Sequence, residues 1–197
     1  MTSSHWRLLL SVTVPALIAL LAGLTHPAHL NEASAEYWRN LHIVLLFVFP
    51  AIGAAPWLLA RRVSRVGWMR WVGWVAALGG YLFATCYTAL DILAGIGGGT
   101  LVLAGHSDDT GQVFKIANQL AVVGVVGLAV GMLAAGILAV RHAGLPMTAG
   151  TLLAVAGAAL VLPGHVWFPI GTLALALLVA GCVVLATGIG KPRPAQV

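Results

Sequence analysis

Imidazole and carboxylate side chains together build sites for zinc, copper, iron or nickel, and both serve as general acids and bases. In this chain they are scarce and crowded. His26, His29 and His42 fall within "LTHPAHLNEASAEYWRNLH", residues 24–42, with Glu32, Glu36 and the pair Tyr37 and Trp38. Asp91 stands in "ATCYTALDILAGIG" with no other charge around it. His165 lies in "PGHVWFP", and "GHSDDTGQ" carries His106, Asp108 and Asp109. His26 and His29 are three apart, the spacing of one helical face, although Pro27 works against a helix there. A set drawn from His26, His29, His42, Asp91 and His165 would hold Zn, Cu or Fe. An open coordination position would then supply a Lewis acid or an activated water. A histidine inside a bundle also suffices as an axial ligand for haem. Asp91 would double as a catalytic group, with Asn118 or Tyr87 orienting a substrate.

Blander roles stand beside these. His42 could bond a loop carbonyl, and Asp91 could bond Arg39 or Asn118 as structural glue. His106, Asp108 and Asp109 have turn composition and too few ordered ligands for a calcium loop. Glu32 and Glu36 read as solvated, with Glu36 at a helix start where negative charge is favoured.

Apolar runs must position these groups. The chain has 197 residues, 60% of them hydrophobic and only 8% charged, against about 25% charged in soluble domains. Its mean hydropathy is +1.00. A helix spanning a bilayer needs about 20 apolar residues, and strands would alternate in period two. The continuous runs therefore predict an all-α, polytopic membrane protein. It is a six-transmembrane-helix bundle forming one membrane domain over residues 1–197, with spans near 6–24, 37–60, 68–96, 113–140, 146–162 and 166–188. Pro50 and Pro56 lie inside the second span, "GGG" at 97–99 ends the third, and Pro146 opens the fifth. The first span reads as uncleaved, because its apolar stretch is long for a signal peptide and no A-x-A site follows. The end, "GKPRPAQV", reads as a disordered tail.

Charge sets the orientation. With both termini cytoplasmic, Arg7, Arg61, Arg62, Arg65, Arg70, Arg141, Lys191 and Arg193 lie inside, and only Arg39 and Lys115 outside. This is the positive-inside bias, so the net charge of +5 speaks for a plasma-membrane orientation and lipid contact rather than a nucleic-acid partner. Trp6, Trp57, Trp68, Trp71 and Trp74 then mark the inner interface, and Trp38 and Trp167 the outer one. All five acids and five of the seven histidines collect on the outer side. His42, Asp91, Asn118 and Gln119 each sit five or six residues inside a helix end, roughly 7–9 Å deep at ~1.5 Å per residue. Tyr87 and Thr88 share the face of Asp91. An ionisable group within the bilayer marks a functional site by default.

Other signatures are missing. The sequence has no HExxH, GxSxG or Walker loop. Cys86 and Cys182 lie at different depths and read as separate buried thiols. The gathering of His and Asp at one membrane face resembles the ceramidase-like membrane hydrolases. Their C-terminal HxxxH is absent, so the resemblance implies no residue roles. The reading is thus a membrane protein with an outer-leaflet His/Asp site for a transition metal or haem, acting on a lipid-like substrate by hydrolysis or redox chemistry. Two alternatives remain: a lipid- or quinone-binding protein, and a non-catalytic accessory subunit. In the second, "GLAVG" (127–131) of helix 4 would pack on a second copy or a larger membrane complex.

Overall fold

The computed structural model describes residues 3–63 and 66–190. Arg65, Lys191 and Arg193, used in the charge reading, and the tail beyond Gly190 lie outside the described residues. The regular structure of the described residues is all helical: α1 Ser3–Thr25, α2 Ala35–Leu45, α3 Val48–Ala60, α4 Trp68–Leu90, a π-helical stretch Asp91–Gly97, α5 Gly98–Leu103, a 3-10 turn Ser107–Asp109, α6 Thr110–Ala143, α7 Met147–Gly164 and α8 Ile170–Ile189. Six stretches are long and apolar enough to cross a bilayer: Ser3–Thr25, Ala35–Ala60, Trp68–Leu103, Ser107–Ala143, Met147–Gly164 and Ile170–Ile189. The protein is a multi-pass helical bundle of the membrane type.

The six spans form a closed ring in chain order. α1 packs on α3, α3 on α4, α4 on α6, α6 on α7, α7 on α8, and α8 returns to α1. Between apolar helices in lipid, association comes from close packing rather than from excluding water, so small residues dominate the seams. Gly53 meets Gly80 where α3 crosses α4, and Gly157 and Gly181 let α7 and α8 touch backbone to backbone. Gly127 and Gly131 are buried against Gly79, Leu82 and Ala76 of α4. The GxxxG face offered to an external partner is therefore filled within the chain itself.

Two boundaries differ from expectation. The second span is not one helix. It breaks at Leu46 and Phe47, between α2 and α3. Pro50 explains this, since it lacks the N–H that would bond the Leu46 carbonyl and its ring crowds that carbonyl. The third span does not stop at Gly97–Gly99 but runs on to Leu103. Those glycines serve packing: a side chain on Gly99 would run into Arg39 and the Ala35 carbonyl, and one on Gly98 into Phe114. Pro146 caps the start of α7 as expected.

The two ends of the bundle are chemically distinct. At one, Arg62 donates to the Ser4 carbonyl at 3.2 Å and Gly190 abuts His5, so both described chain ends meet there. At the other lie His26, Trp38 and His165. Between them, the buried polar side chains of the span interiors are Thr13 and Thr151, each donating back to its own helix at Leu9 and Met147. Among the described residues no polar path runs through the bundle.

Candidate metal centre

Three histidines meet at one end. One ring nitrogen from each of His26, His42 and His165 lies within 4.8 Å of the other two, and all three residues are buried. His42 is 1% exposed and Asp91 0% exposed, so both face the bundle interior as their depth predicted.

Each ring is held by a different part of the chain. His26 follows α1 in a loop tied by Asn31 and Ser34. The Asn31 side chain accepts from the Ser34 N–H, and the Ser34 hydroxyl accepts from the Asn31 N–H and donates to the His29 carbonyl. The Tyr37 hydroxyl fastens this loop to Thr25 at 2.7 Å. His42 lies in the last turn of α2, its ring pressed on the Cα of Gly95, where any side chain would overlap the imidazole. Asp91 opens the π-helical stretch that contains Gly95. Wide π turns of this kind recur at functional sites because they re-aim side chains that an α-helix would direct elsewhere. His165 caps α7 with φ of 44°, a left-handed backbone that is costly for a residue with a Cβ. Its N–H still bonds the Val161 carbonyl at 2.7 Å, so the turn is fixed.

The hydrogen bonds settle two tautomers. A backbone carbonyl only accepts, so a ring nitrogen beside one must carry the proton. Nδ1 of His42 donates to the Trp38 carbonyl at 2.7 Å, and Nδ1 of His26 donates to the Pro27 carbonyl at 2.7 Å. In the neutral rings both Nε2 atoms are then bare acceptors, and they face each other at 3.5 Å. Two lone pairs at that distance repel unless a cation lies between them. A proton on His26 is disfavoured, because burial lowers the pKa of that ring below its ordinary value despite the Pro27 bond. In a tetrahedral zinc shell with Zn–N bonds of ~2.0–2.1 Å, neighbouring nitrogens stand about 3.3 Å apart. The observed 3.5 Å is close to that.

His165 completes the set. Its Nδ1 lies 2.6 Å from the Tyr87 hydroxyl. With the proton on Nδ1 and donated to that hydroxyl, Nε2 is the nitrogen left for a ligand. Burial, with smaller contributions from His42 and His26, holds this imidazole well below its ordinary pKa and therefore neutral. All three rings thus engage Nδ1 in an outer bond, the arrangement that fixes orientation and raises basicity in metal-bound histidines.

Asp91 approaches from the side, with Oδ1 4.0 Å from His42 Nε2. Neither carboxylate oxygen has a hydrogen-bond partner among the described residues. Neither Arg39 nor Asn118 bonds it, and Arg39 instead donates to Asn40 at 3.3 and 3.4 Å. An acidic side chain without a hydrogen-bond partner inside a spanning segment is costly whether or not it is ionised.

The remaining sequence candidates are distributed as follows. Tyr87 is in the centre's outer layer, and Phe49 packs edge-on against it at 4.8 Å. His29 is exposed and outside the cluster, so only His26 of that pair joins it. Asn118 is exposed on α6 and reaches the site only as part of a cavity wall. That cavity, of 260 Å³, borders His42, His165, Tyr87, Trp38 and Trp167 and extends to Asn118 and Leu162. His106 and Asp109 form an exposed pair at 3.8 Å, in keeping with a solvated loop. Cys86 and Cys182 are both free thiols.

No family model, characterised protein or solved structure matches this chain. The side chains themselves therefore carry the functional reading.

Trp38 was missed. It reads in sequence as an interfacial anchor, yet it is buried. Its Nε1 donates to the Ala94 carbonyl at 3.1 Å, and its ring stacks on His42 and meets His26 edge-on. The signal was present in the spacing, since Trp38 and His42 are four apart on one helical face.

Proposed function

We propose that this protein is a membrane metalloprotein. His26, His42 and His165 hold one divalent first-row transition ion, and Asp91 stands beside the remaining coordination position. The single observation that carries this is the pair of bare Nε2 atoms at 3.5 Å, each fixed by a carbonyl on its own Nδ1. An imidazole donor set suits Zn, Cu or Fe, and a bound ion would also give the Asp91 carboxyl group a partner. The convergence of the rings favours a lone ion over haem. Haem iron takes one or two axial ligands, whereas here a third ring, His26, lies against both His42 and His165.

On this reading the arginine end is cytoplasmic and the histidine end lies at the outer leaflet, a sense that the positive-inside bias supports. The ion would supply Lewis acidity or redox capacity to a molecule arriving through the adjoining cavity. Asp91, whose Oδ1 is 4.0 Å from His42 Nε2, would take a proton from a group bound to the ion. Such chemistry suits a lipid-like substrate, because the cavity rim lies on exposed faces of α6 and α7.

The test is the metal content of the full chain purified in mild detergent, beside His42→Ala and His165→Ala. About one equivalent of a transition metal, lost in both variants, supports the reading. No metal retained after reconstitution with Zn, Cu or Fe would overturn it and favour an accessory-subunit role.

A further inference from the structure

The cavity beside the histidines is defined by what its wall lacks. No lysine, arginine or carboxylate lines it. Rings line much of it: the indoles of Trp38 and Trp167, the phenol of Tyr87 and two imidazoles. Asn118 supplies an amide at the rim, and Leu162 stands across from it on another helix.

Three classes of membrane molecule can be compared with that wall. A phosphate-headed lipid would bring fixed negative charge against a wall with no cationic side chain of its own, so that only a bound ion could balance it. A bare acyl chain would leave the Asn118 amide without a partner. A flat, neutral head with ring oxygens meets both conditions. Its faces stack on the indoles, and one oxygen accepts from the Asn118 amide. Size agrees, since 260 Å³ falls just under the ~300–1,000 Å³ of pockets that hold drug-sized ligands, so a head group enters and a long tail does not. Asn118 and Leu162 are both exposed on the outside of the bundle, which leaves the tail an exit between α6 and α7.

We infer that this cavity binds the neutral ring of a quinone or quinol, with its apolar tail lying in the bilayer between α6 and α7. This rests on the metalloprotein reading for the position of the ring beside an ion, but not for the pocket itself. The experiment measures binding of a decyl-substituted benzoquinone to the full chain in detergent, with a decyl glyceride as the neutral-lipid control. Metal content is assayed on the same samples. The variants are Leu162→Trp, which fills the rim, and Asn118→Leu, which removes the amide; both positions are exposed, so folding is preserved. Saturable quinone binding, weakened at least tenfold in Leu162→Trp and severalfold in Asn118→Leu with metal content unchanged, is the expected result. Preference for the glyceride, or quinone uptake equal in all three proteins, overturns the ligand assignment. A chain that holds metal but binds no quinone overturns this inference alone. A chain that binds quinone at the rim but no metal supports the pocket and overturns the metal centre.

Discussion

The two ends of the bundle each bury histidine, and among the described residues three of them converge at only one end. At the arginine end His5 is buried against Gly190, and among the described residues it belongs to no group of converging metal ligands. Its neighbourhood is one of anchors. Arg61 lies over the Trp57 ring at 4.6 Å, Arg62 bonds the Ser4 carbonyl, and Trp6, Trp57, Trp68, Trp71 and Trp74 are exposed as an interfacial belt requires. At the other end three imidazoles from three separate segments converge, each with Nδ1 committed outward and a carboxylate alongside. Burial alone gives a packed imidazole. Convergence, with two of the three tautomers fixed by carbonyls, is what a metal site requires.

The sharpest way to break this contrast is to delete a ligand at each end. His42→Ala should abolish stoichiometric metal, whereas His5→Ala should leave metal content unchanged. Equal losses in the two variants would mean that the metal is held nonspecifically. The next effect in size comes from the floor under His42. A methyl in Gly95→Ala overlaps the Cβ, Cγ and Cδ2 atoms of that ring, so the ring must shift. Metal affinity should fall roughly 10–100-fold, the range seen when the support of a ligand is disturbed. Overpacking should also cost about 1–3 kcal/mol in stability. The corresponding change at a seam without ligands, Gly53→Ala, should destabilise without altering affinity. A competitive chelator titration separates the two outcomes.

Smaller still is Trp38→Phe, which keeps a ring on His42 and removes the hydrogen bond to Ala94. The expected cost is about 1 kcal/mol of stability, with a metal affinity decrease of up to tenfold. Thermal unfolding and the same titration read these values. The smallest effect is on pH dependence in the metal-free protein. Burial lowers the pKa of His26 and His165 from the ordinary 6.5, so the unfolded chain takes up protons that the folded chain refuses. Stability should fall as pH drops through 6.5. His26→Gln should shrink that slope. A melting temperature that rises on acidification would contradict these assignments.

How much of this was legible in the sequence depended on the kind of signal. Length and continuous hydropathy were enough for six spans, because a spanning helix is constrained segment by segment. The depth of His42 and Asp91 followed from counting residues, and the isolation of Asp91 in an apolar run pointed to the interior. What needed the third dimension was choice among equivalent residues. His26 and His29 differ only in how the loop after α1 turns, and the Asn31 and Ser34 bonds decide it. Gly97–Gly99 read as a stop from helix propensity, yet close contact with α2 outweighs that propensity. The GxxxG of α6 read as an outward face, although α4 covers it. Trp38 misled because indoles favour both interfaces and ligand-supporting positions, and the sequence alone carries no contact to separate them.

The most direct test of the tri-histidine centre is X-ray absorption at the metal edge on the full chain reconstituted with one equivalent of zinc. The account predicts a shell of three imidazole nitrogens at about 2.0–2.1 Å plus one oxygen, with one imidazole lost in His165→Ala. A shell of oxygens only, or one unchanged by His165→Ala, would contradict it.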